Sequence, residues 1–139
     1  MRFLLVVSVL LGVAALCAAQ KPEIKTVPIR PAPAGSGQAM FSEYCAVCHG
    51  KDGKGSGPAA PALKVPASDL TTLSKRNGGT FPSAHVSNVI RLGGDVAAHG
   101  SKDMLMWGHA FWTLTPHSAE IVQLRIANLT NYIKSLQEK

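Results

Sequence analysis

Two cysteines three positions apart, with a histidine directly after the second, constrain this chain more than any other feature of its sequence. They are Cys45, Cys48 and His49, in the stretch CAVCH. On a helix, positions i and i+3 lie on the same face, so both sulfur atoms can reach one flat ligand. His49 then presents its imidazole from the same side. This spacing is the pattern through which c-type haem is attached, by two thioether bonds and one axial bond to the iron.

Two other kinds of site also use closely spaced cysteines. A zinc site needs four ligands, commonly from a second cysteine pair or a histidine pair, and the one further cysteine, Cys17, lies in an apolar leader. A thioredoxin-like pair lies at a strand-to-helix junction, whereas the residues before Cys45 have helical periodicity and no strand pattern follows Cys48. Haem attachment is therefore the expected chemistry.

The beginning of the chain has the pattern of a targeting segment. A basic residue, a short apolar run and small residues over 1–19 predict a secretory signal peptide cleaved after Ala19. The run is shorter than the ~20 apolar residues that a membrane-spanning helix needs. Lipid attachment at Cys17 is the alternative, but lipoprotein signals have a small residue before the cysteine and Leu16 stands there. We therefore expect a chain that is periplasmic or otherwise exported.

Residues 20–35 form a proline-rich linker that precedes a single domain, residues 36–139. Four prolines in the linker favour extended, polyproline-like backbone. The sequence leaves two interpretations open for this stretch, a mobile tether and a strap packed along the domain surface.

Charge excludes one class of partner. From Gly35 onward the chain has ten Lys and Arg residues against seven Asp and Glu residues, and no basic stripe is interleaved with aromatic residues. Nucleic-acid binding is therefore not expected. The small basic surplus allows a mild preference for acidic protein partners.

Apolar periodicity predicts helices, and no segment alternates as a β-strand does. Ser36 is expected to cap a first helix that leads into the cysteine motif. Residues 50–61, rich in Gly and Pro, are expected to be a loop whose glycines let the backbone pass close to a flat ligand. One short helical turn is expected within residues 63–73.

Two more helices follow in this prediction. One begins after Phe81-Pro82 and ends at Gly93-Gly94. The last begins at a Thr115-Pro116 cap and runs to about Gln137. Its buried face is expected to be an apolar stripe of Val122, Ile126, Leu129, Ile133 and Leu136. The chain is thus predicted to be all-α. Because Gly and Pro leave it little apolar surface to bury, a haem would supply part of its core.

The stretch from residue 37 to about 136 resembles a class I c-type cytochrome, the single-haem family with His/Met ligation, of the bacterial periplasmic type. Gly37 and Phe41 stand eight and four positions before the first motif cysteine, as the family's first-helix glycine and aromatic residue do. Leu129 and Tyr132 match the leucine and aromatic residue of its last helix. The resemblance implies a small cytochrome c fold, with three or more helices around one covalent haem and the first and last helices crossing. The chain also resembles bacterial periplasmic members of the family, and cytochrome subunits of oxidases and dehydrogenases, in four further segments: Gly53–Pro58, Pro66–Thr71, Phe81-Pro82 and His99-Gly100.

In that family a Met-Pro-x-Trp-Gly segment supplies the axial methionine. The corresponding stretch here begins at Met104, with Leu105 where proline is usual and a second sulfur at Met106. The family's ligand lies three positions before the tryptophan, here Trp107, which implies Met104. The resemblance thus implies a haem c site formed by Cys45, Cys48, His49 and Met104, with His49 and Met104 on the iron.

A haem with both axial positions filled has none open for oxygen or peroxide, so the resemblance implies an electron carrier rather than an enzyme. Its partners would be a redox donor and a redox acceptor protein. A dedicated cytochrome subunit of a dehydrogenase or oxidase is the alternative. A sensor or enzyme with an open sixth position is a third interpretation. Four other histidines are expected to serve as surface or capping residues (His85, His117) or as reserve ligands (His99, His109).

Overall fold

The computed structural model describes residues 29–93, 104–115 and 118–138. Within these ranges the chain forms helices and no β-strand, which confirms the predicted all-α class. In chain order the helical elements are α1 (Gly37–Met40), a π-helical turn (Phe41–Cys45), α2 (Ala46–His49), a 3-10 turn (Ala60–Ala62), α3 (Leu73–Arg76), α4 (Ser83–Leu92), α5 (Trp107–Leu114) and α6 (Ala119–Ser135).

The first three elements form one continuous helical run that ends at the cysteine motif. Its start is as predicted, because the Ser36 hydroxyl accepts a hydrogen bond from the Ala39 N–H at 3.1 Å. The π-helical turn was not predicted. It is marked by the Ala46 N–H, which donates to the carbonyl oxygen of Phe41. Single π-helical turns inside helices are frequent at functional sites, and this one leads directly into Cys45.

The first helix and the last helix cross at Gly37, as the resemblance implied. A Cβ atom added at Gly37 would lie 2.8 Å from both the carbonyl carbon of Asn128 and the Cβ of Tyr132. The Phe41 and Tyr132 rings pack across the same crossing with their centroids 5.2 Å apart. Leu129 is fully buried there. Only glycine lets the two helix backbones approach this closely.

Helix α6 carries the predicted apolar stripe, but the predicted start was wrong. The cap is Ser118, whose hydroxyl accepts a hydrogen bond from the Ile121 N–H at 3.3 Å. Thr115 instead ends α5, where its N–H and hydroxyl both donate to the carbonyl oxygen of Phe111. Pro116 lies outside the described residues.

Helices α4 and α5 complete the core against α6. Helix α4 ends at Gly93, with φ 73°, as predicted. Helix α5 was not predicted, since Trp107-Gly108 was interpreted as part of a ligand loop. Gly108 brings α5 against α4, because an added Cβ would lie 2.6 Å from the carbonyl oxygen of Arg91. The expected turn within residues 63–73 is displaced, and the helical turn in this region is Leu73–Arg76.

Residues 29–34, which we call the strap, lie against the domain. Ala32 is buried, and Ile29 packs on the core. The described part of the proline-rich stretch is therefore packed, the second of the two interpretations left open above.

Candidate functional site

The helical run places Cys45, Cys48 and His49 within its last turns. Both cysteines are free and partly buried. Burial, with a smaller contribution from the neighbouring Cys48, raises the pKa of the Cys45 thiol to about 12, and burial also raises the pKa of Cys48. Burial therefore favours the neutral thiol form of both side chains. No group of three or more His, Cys, Asp or Glu side chains suited to a metal ion occurs among the described residues.

The imidazole of His49 is fixed by one hydrogen bond. Its Nδ1 lies 2.9 Å from the carbonyl oxygen of Ser68. Since a carbonyl oxygen can only accept, Nδ1 carries the proton and Nε2 keeps a free lone pair. Burial lowers the pKa of His49, and the bond to Ser68 opposes this shift. The residue is thus a neutral imidazole in the tautomer that binds a metal through Nε2, with the other nitrogen held as in most metal-binding histidines.

The loop after the motif satisfies the carbonyl groups at the end of α2. The Gly57 N–H donates to the Cys48 carbonyl at 3.0 Å, and the Gly55 N–H donates to the His49 carbonyl at 2.7 Å. The last carbonyls of a helix have no partner within the helix and need such donors. The loop therefore fixes the backbone of the two motif residues that end the helix.

Two glycines of this loop, Gly55 and Gly57, pack against protein backbone, and the expectation that the loop glycines let the backbone pass close to a flat ligand stays a prediction. A Cβ at Gly57 would lie 2.5 Å from the carbonyl oxygens of both Ala46 and Val47. A Cβ at Gly55 would collide with the carbonyl oxygen of Ala67. These glycines let the loop pass directly over the cysteine motif on one side and over the segment before Ser68 on the other.

The segment that carries the Ser68 carbonyl is itself held by hydrogen bonds. Asp69 Oδ1 accepts from the Thr71 N–H at 2.8 Å and from its hydroxyl at 2.6 Å. The Arg76 guanidinium donates to the Asp69 carbonyl at 2.6 Å, and the Leu70 N–H donates to the Gly53 carbonyl at 2.7 Å. The hydrogen bond from the Thr71 hydroxyl is the main cause that lowers the pKa of Asp69.

The two candidate methionines differ in their surroundings. Met104 is partly buried and packs against the hydrophobic core, as does Cys45. Met106 is 56% exposed, and it precedes the first residue of α5. A Cβ at Gly93 would lie 2.9 Å from Met106 Cγ, so this sulfur-bearing chain lies over the end of α4. Met104 therefore packs against the core, whereas Met106 lies at the surface.

Two of the remaining histidines lie on helices and are exposed. His109 is exposed on α5 and His85 is exposed on α4. His99 and His117 lie outside the described residues, as do the leader and the first part of the linker.

Ser68 could not be found from the sequence. It acts through its backbone carbonyl, and no side-chain pattern reports which carbonyl a histidine will meet. The aromatic cluster of Tyr44, Trp107 and Phe111 was also missed, because it joins residues more than sixty positions apart. A signal for Tyr44 was present, since it lies on the same helical face as Phe41 and Cys48.

Comparison with known protein families decides what this site belongs to. The model of the family described as cytochrome c matches residues 34–137. The chain belongs to the cytochrome c family. Its cofactor is covalent haem c, and Cys45 and Cys48 have the spacing with which members of the family bind it. As a cytochrome c, the chain is a haem-based electron-transfer protein that works with redox partners.

Comparisons with curated proteins and with solved structures gave no match. Across the described ranges of this cytochrome, every helix is too short or too polar to cross a lipid bilayer.

Proposed function

We propose that this cytochrome is an exported, soluble electron carrier of the class I type, in which His49 and Met104 are the axial ligands of one six-coordinate haem. The observation that carries the proposal is the His49–Ser68 hydrogen bond at 2.9 Å. It leaves Nε2 available for iron on the residue next to Cys48.

When bound, haem iron supplies a one-electron couple between its ferrous and ferric forms. Cys45 and Cys48 would hold the group covalently, so that it is not lost in either form. His49 would donate the nitrogen ligand, oriented by Ser68. A thioether ligand from Met104 is soft and neutral and favours the ferrous form, which raises the reduction potential relative to two histidine ligands.

The choice of Met104 over Met106 is supported by two independent features. Met104 lies three residues before Trp107, the register of the resembling family, and its side chain packs on the same core as Cys45. Met106 is directed to the surface. Helix α5 begins at Trp107, so the segment that carries the ligand ends before this residue.

The segment before the domain belongs to the same proposal. Residues 1–19 would be a signal peptide and residues 20–35 a proline-rich connection to the domain at 36–139. Cytochrome c domains are typically exported, and thioether attachment of haem occurs outside the cytoplasm in the bacterial members that this chain resembles.

Paired substitutions test the ligand set. Met104→Ala should abolish the charge-transfer absorbance from sulfur to ferric iron and lower the reduction potential markedly. Met106→Ala is the matched control, since it removes the neighbouring sulfur, and it should change both only slightly. The reverse result would assign the ligand to Met106. Persistence of the band in both single variants would show that either sulfur can bind the iron, and absence of the band from the parent protein would contradict methionine ligation.

Covalent attachment has its own test. Bands on a denaturing gel should keep haem-dependent peroxidase staining, and the double variant Cys45→Ser/Cys48→Ser should lose it. Extraction of haem from the intact parent protein by acidic acetone would contradict the attachment.

A dedicated cytochrome subunit of a dehydrogenase or oxidase is the second candidate. It is favoured by the exposure of Leu105 (50%) and Met106 (56%), two adjacent apolar side chains that a permanent partner would cover. Gel filtration of the native protein from its source separates the candidates. A monomer elutes at the size of the chain alone, and a subunit elutes with its partner. Carbon monoxide binding to the reduced protein at neutral pH would instead favour an open sixth position.

A further inference from the structure

The strap is attached to the domain by the last helix. Arg125, which is buried, donates from Nη1 to the Ala32 carbonyl at 2.6 Å. Asn128 donates from its amide to the Ala34 carbonyl at 2.9 Å. The strap is thus held by side chains more than ninety positions away in the sequence.

Tyr44 also holds the strap. Its hydroxyl accepts a hydrogen bond from the Ala32 N–H at 2.7 Å and donates one to the Arg30 carbonyl at 2.9 Å. Tyr44 is buried, so both capacities of the hydroxyl are used within the protein. The residue that follows it in the chain is the first motif cysteine, Cys45.

The ring of Tyr44 contacts the segment that carries the proposed methionine ligand. Its centroid lies 5.0 Å from that of Trp107 and 5.6 Å from that of Phe111. Trp107 begins α5, three residues after Met104. Trp107 and Phe111 also contact each other, with centroids 5.5 Å apart. Tyr44, the residue directly before the cysteine motif, therefore joins the strap to the start of α5.

This connection matters because the ligand segment lacks rigidity of its own. Leu105 stands where the resembling family has proline, so the backbone after Met104 is not restrained by a pyrrolidine ring. Restraint has to come from packing, and the packing around Trp107 includes the Tyr44 ring.

We propose that Tyr44 is a positioning residue for the axial methionine, and that its two hydrogen bonds make the strap part of the restraint on Met104. This inference rests on the proposed ligation by His49 and Met104. The two hydrogen bonds of the hydroxyl fix the orientation of the Tyr44 ring, and the ring restrains Trp107 by packing against it. Trp107 in turn restrains the backbone from which the Met104 side chain reaches the haem.

The test uses the complete holoprotein with Tyr44→Phe, which keeps the ring and removes both hydrogen bonds. Imidazole is added to the ferric protein, where it competes with methionine for iron, and the charge-transfer absorbance is followed. The imidazole concentration that removes half of this absorbance should fall about threefold or more, as loss of part of two hydrogen bonds would give. Hydrogen exchange at the Ala32 amide should accelerate in the same variant.

Two controls separate positioning from general loss of stability. Tyr132→Phe removes the hydroxyl of the chain's other tyrosine, whose ring packs on Phe41 at the helix crossing. Ile133→Val trims a buried side chain of α6. Both should keep the parent's imidazole half-point even where they lower the unfolding midpoint.

An unchanged half-point in Tyr44→Phe, with faster exchange at Ala32, would overturn the inference, since the strap would then be released without effect on the ligand. An equal fall in Ile133→Val would also overturn it. Absence of the charge-transfer absorbance in the parent protein would reject methionine ligation and the inference together. A failure confined to Tyr44→Phe leaves the proposed function standing.

Discussion

The Nδ1 atom of His49 lies 2.9 Å from the carbonyl oxygen of Ser68, nineteen residues further along the chain. This single bond decides the tautomer of the imidazole and leaves Nε2 as the free nitrogen. Because the acceptor is a backbone atom, its position depends on the segment around it rather than on the Ser68 side chain. The Asp69 carboxylate, which accepts two hydrogen bonds from Thr71, helps to hold that segment.

Asp69 should make stability depend on pH at the acid end. Its pKa in the folded protein lies below the ordinary value of 3.8, mainly because the Thr71 hydroxyl donates to it. The stabilisation is therefore complete above pH 3.8 and is lost as the pH falls through the lowered folded pKa. Asp69→Asn and Thr71→Val should each flatten the fall of the unfolding free energy below about pH 4, measured by denaturant titration. A slope as steep as the parent's in both variants would contradict this.

Gly57→Ala should impair the site without touching a ligand. The added Cβ would lie 2.5 Å from the carbonyl oxygens of Ala46 and Val47, so the loop would have to move off the cysteine motif. Overpacking of this kind costs about 1–3 kcal/mol. We expect a lower unfolding free energy and a lower yield of protein with attached haem, measured by absorbance per polypeptide.

Gly35→Ala serves as the control for that loop variant, because a Cβ there has no neighbour within 4 Å. Holoprotein yield in Gly57→Ala equal to that of the control would show that the loop can shift freely.

The helix crossing gives a second glycine prediction. In Gly37→Ala the new Cβ would lie 2.8 Å from Tyr132 Cβ and closer still to the Asn128 carbonyl oxygen. Since the obstacle includes helix backbone, we expect a loss of about 3 kcal/mol, the upper part of the overpacking range. Thermal unfolding of the holoprotein measures it, again against Gly35→Ala. A change below about 0.5 kcal/mol, the size of an ordinary surface substitution, would contradict the close crossing.

Folding should depend on the cofactor. The chain has thirteen glycines and nine prolines among 139 residues, and large apolar side chains such as Leu92 and Leu105 remain exposed. A group that binds only the folded state stabilises that state. Produced without haem-attachment machinery, the chain should lack a cooperative thermal transition by circular dichroism. A sharp transition in haem-free protein would contradict this.

Local patterns in the sequence were sufficient for several elements. The Ser36 cap, the stop at Gly93 and the stripe of α6 each depend on residues close in the chain, and each was predicted. The crossing at Gly37 came from the family resemblance, since no local rule pairs residue 37 with residue 128.

Elsewhere the prediction failed because non-local contacts decide the structure. Helix α5 begins at Trp107-Gly108, a pair with weak helix propensity, and is held by the Tyr44 ring and by its packing on α4. Because α5 was not predicted, Thr115 was wrongly assigned as the cap of α6. In the structure Thr115 ends α5. The Ser68 carbonyl is a backbone group and leaves no trace in residue type.

Because buried side chains of the domain bind the strap, the folded unit includes residues that precede the first helix. Arg125 and Tyr44 are both buried and both depend on Ala32 for hydrogen bonds. A fusion partner or affinity tag joined directly before the first helix would delete these partners, leaving the Arg125 guanidinium without its backbone acceptor and the Tyr44 hydroxyl without either of its hydrogen bonds. Grafting this cytochrome onto another protein, or attaching it to an electrode, therefore requires a junction that lies ahead of residue 29.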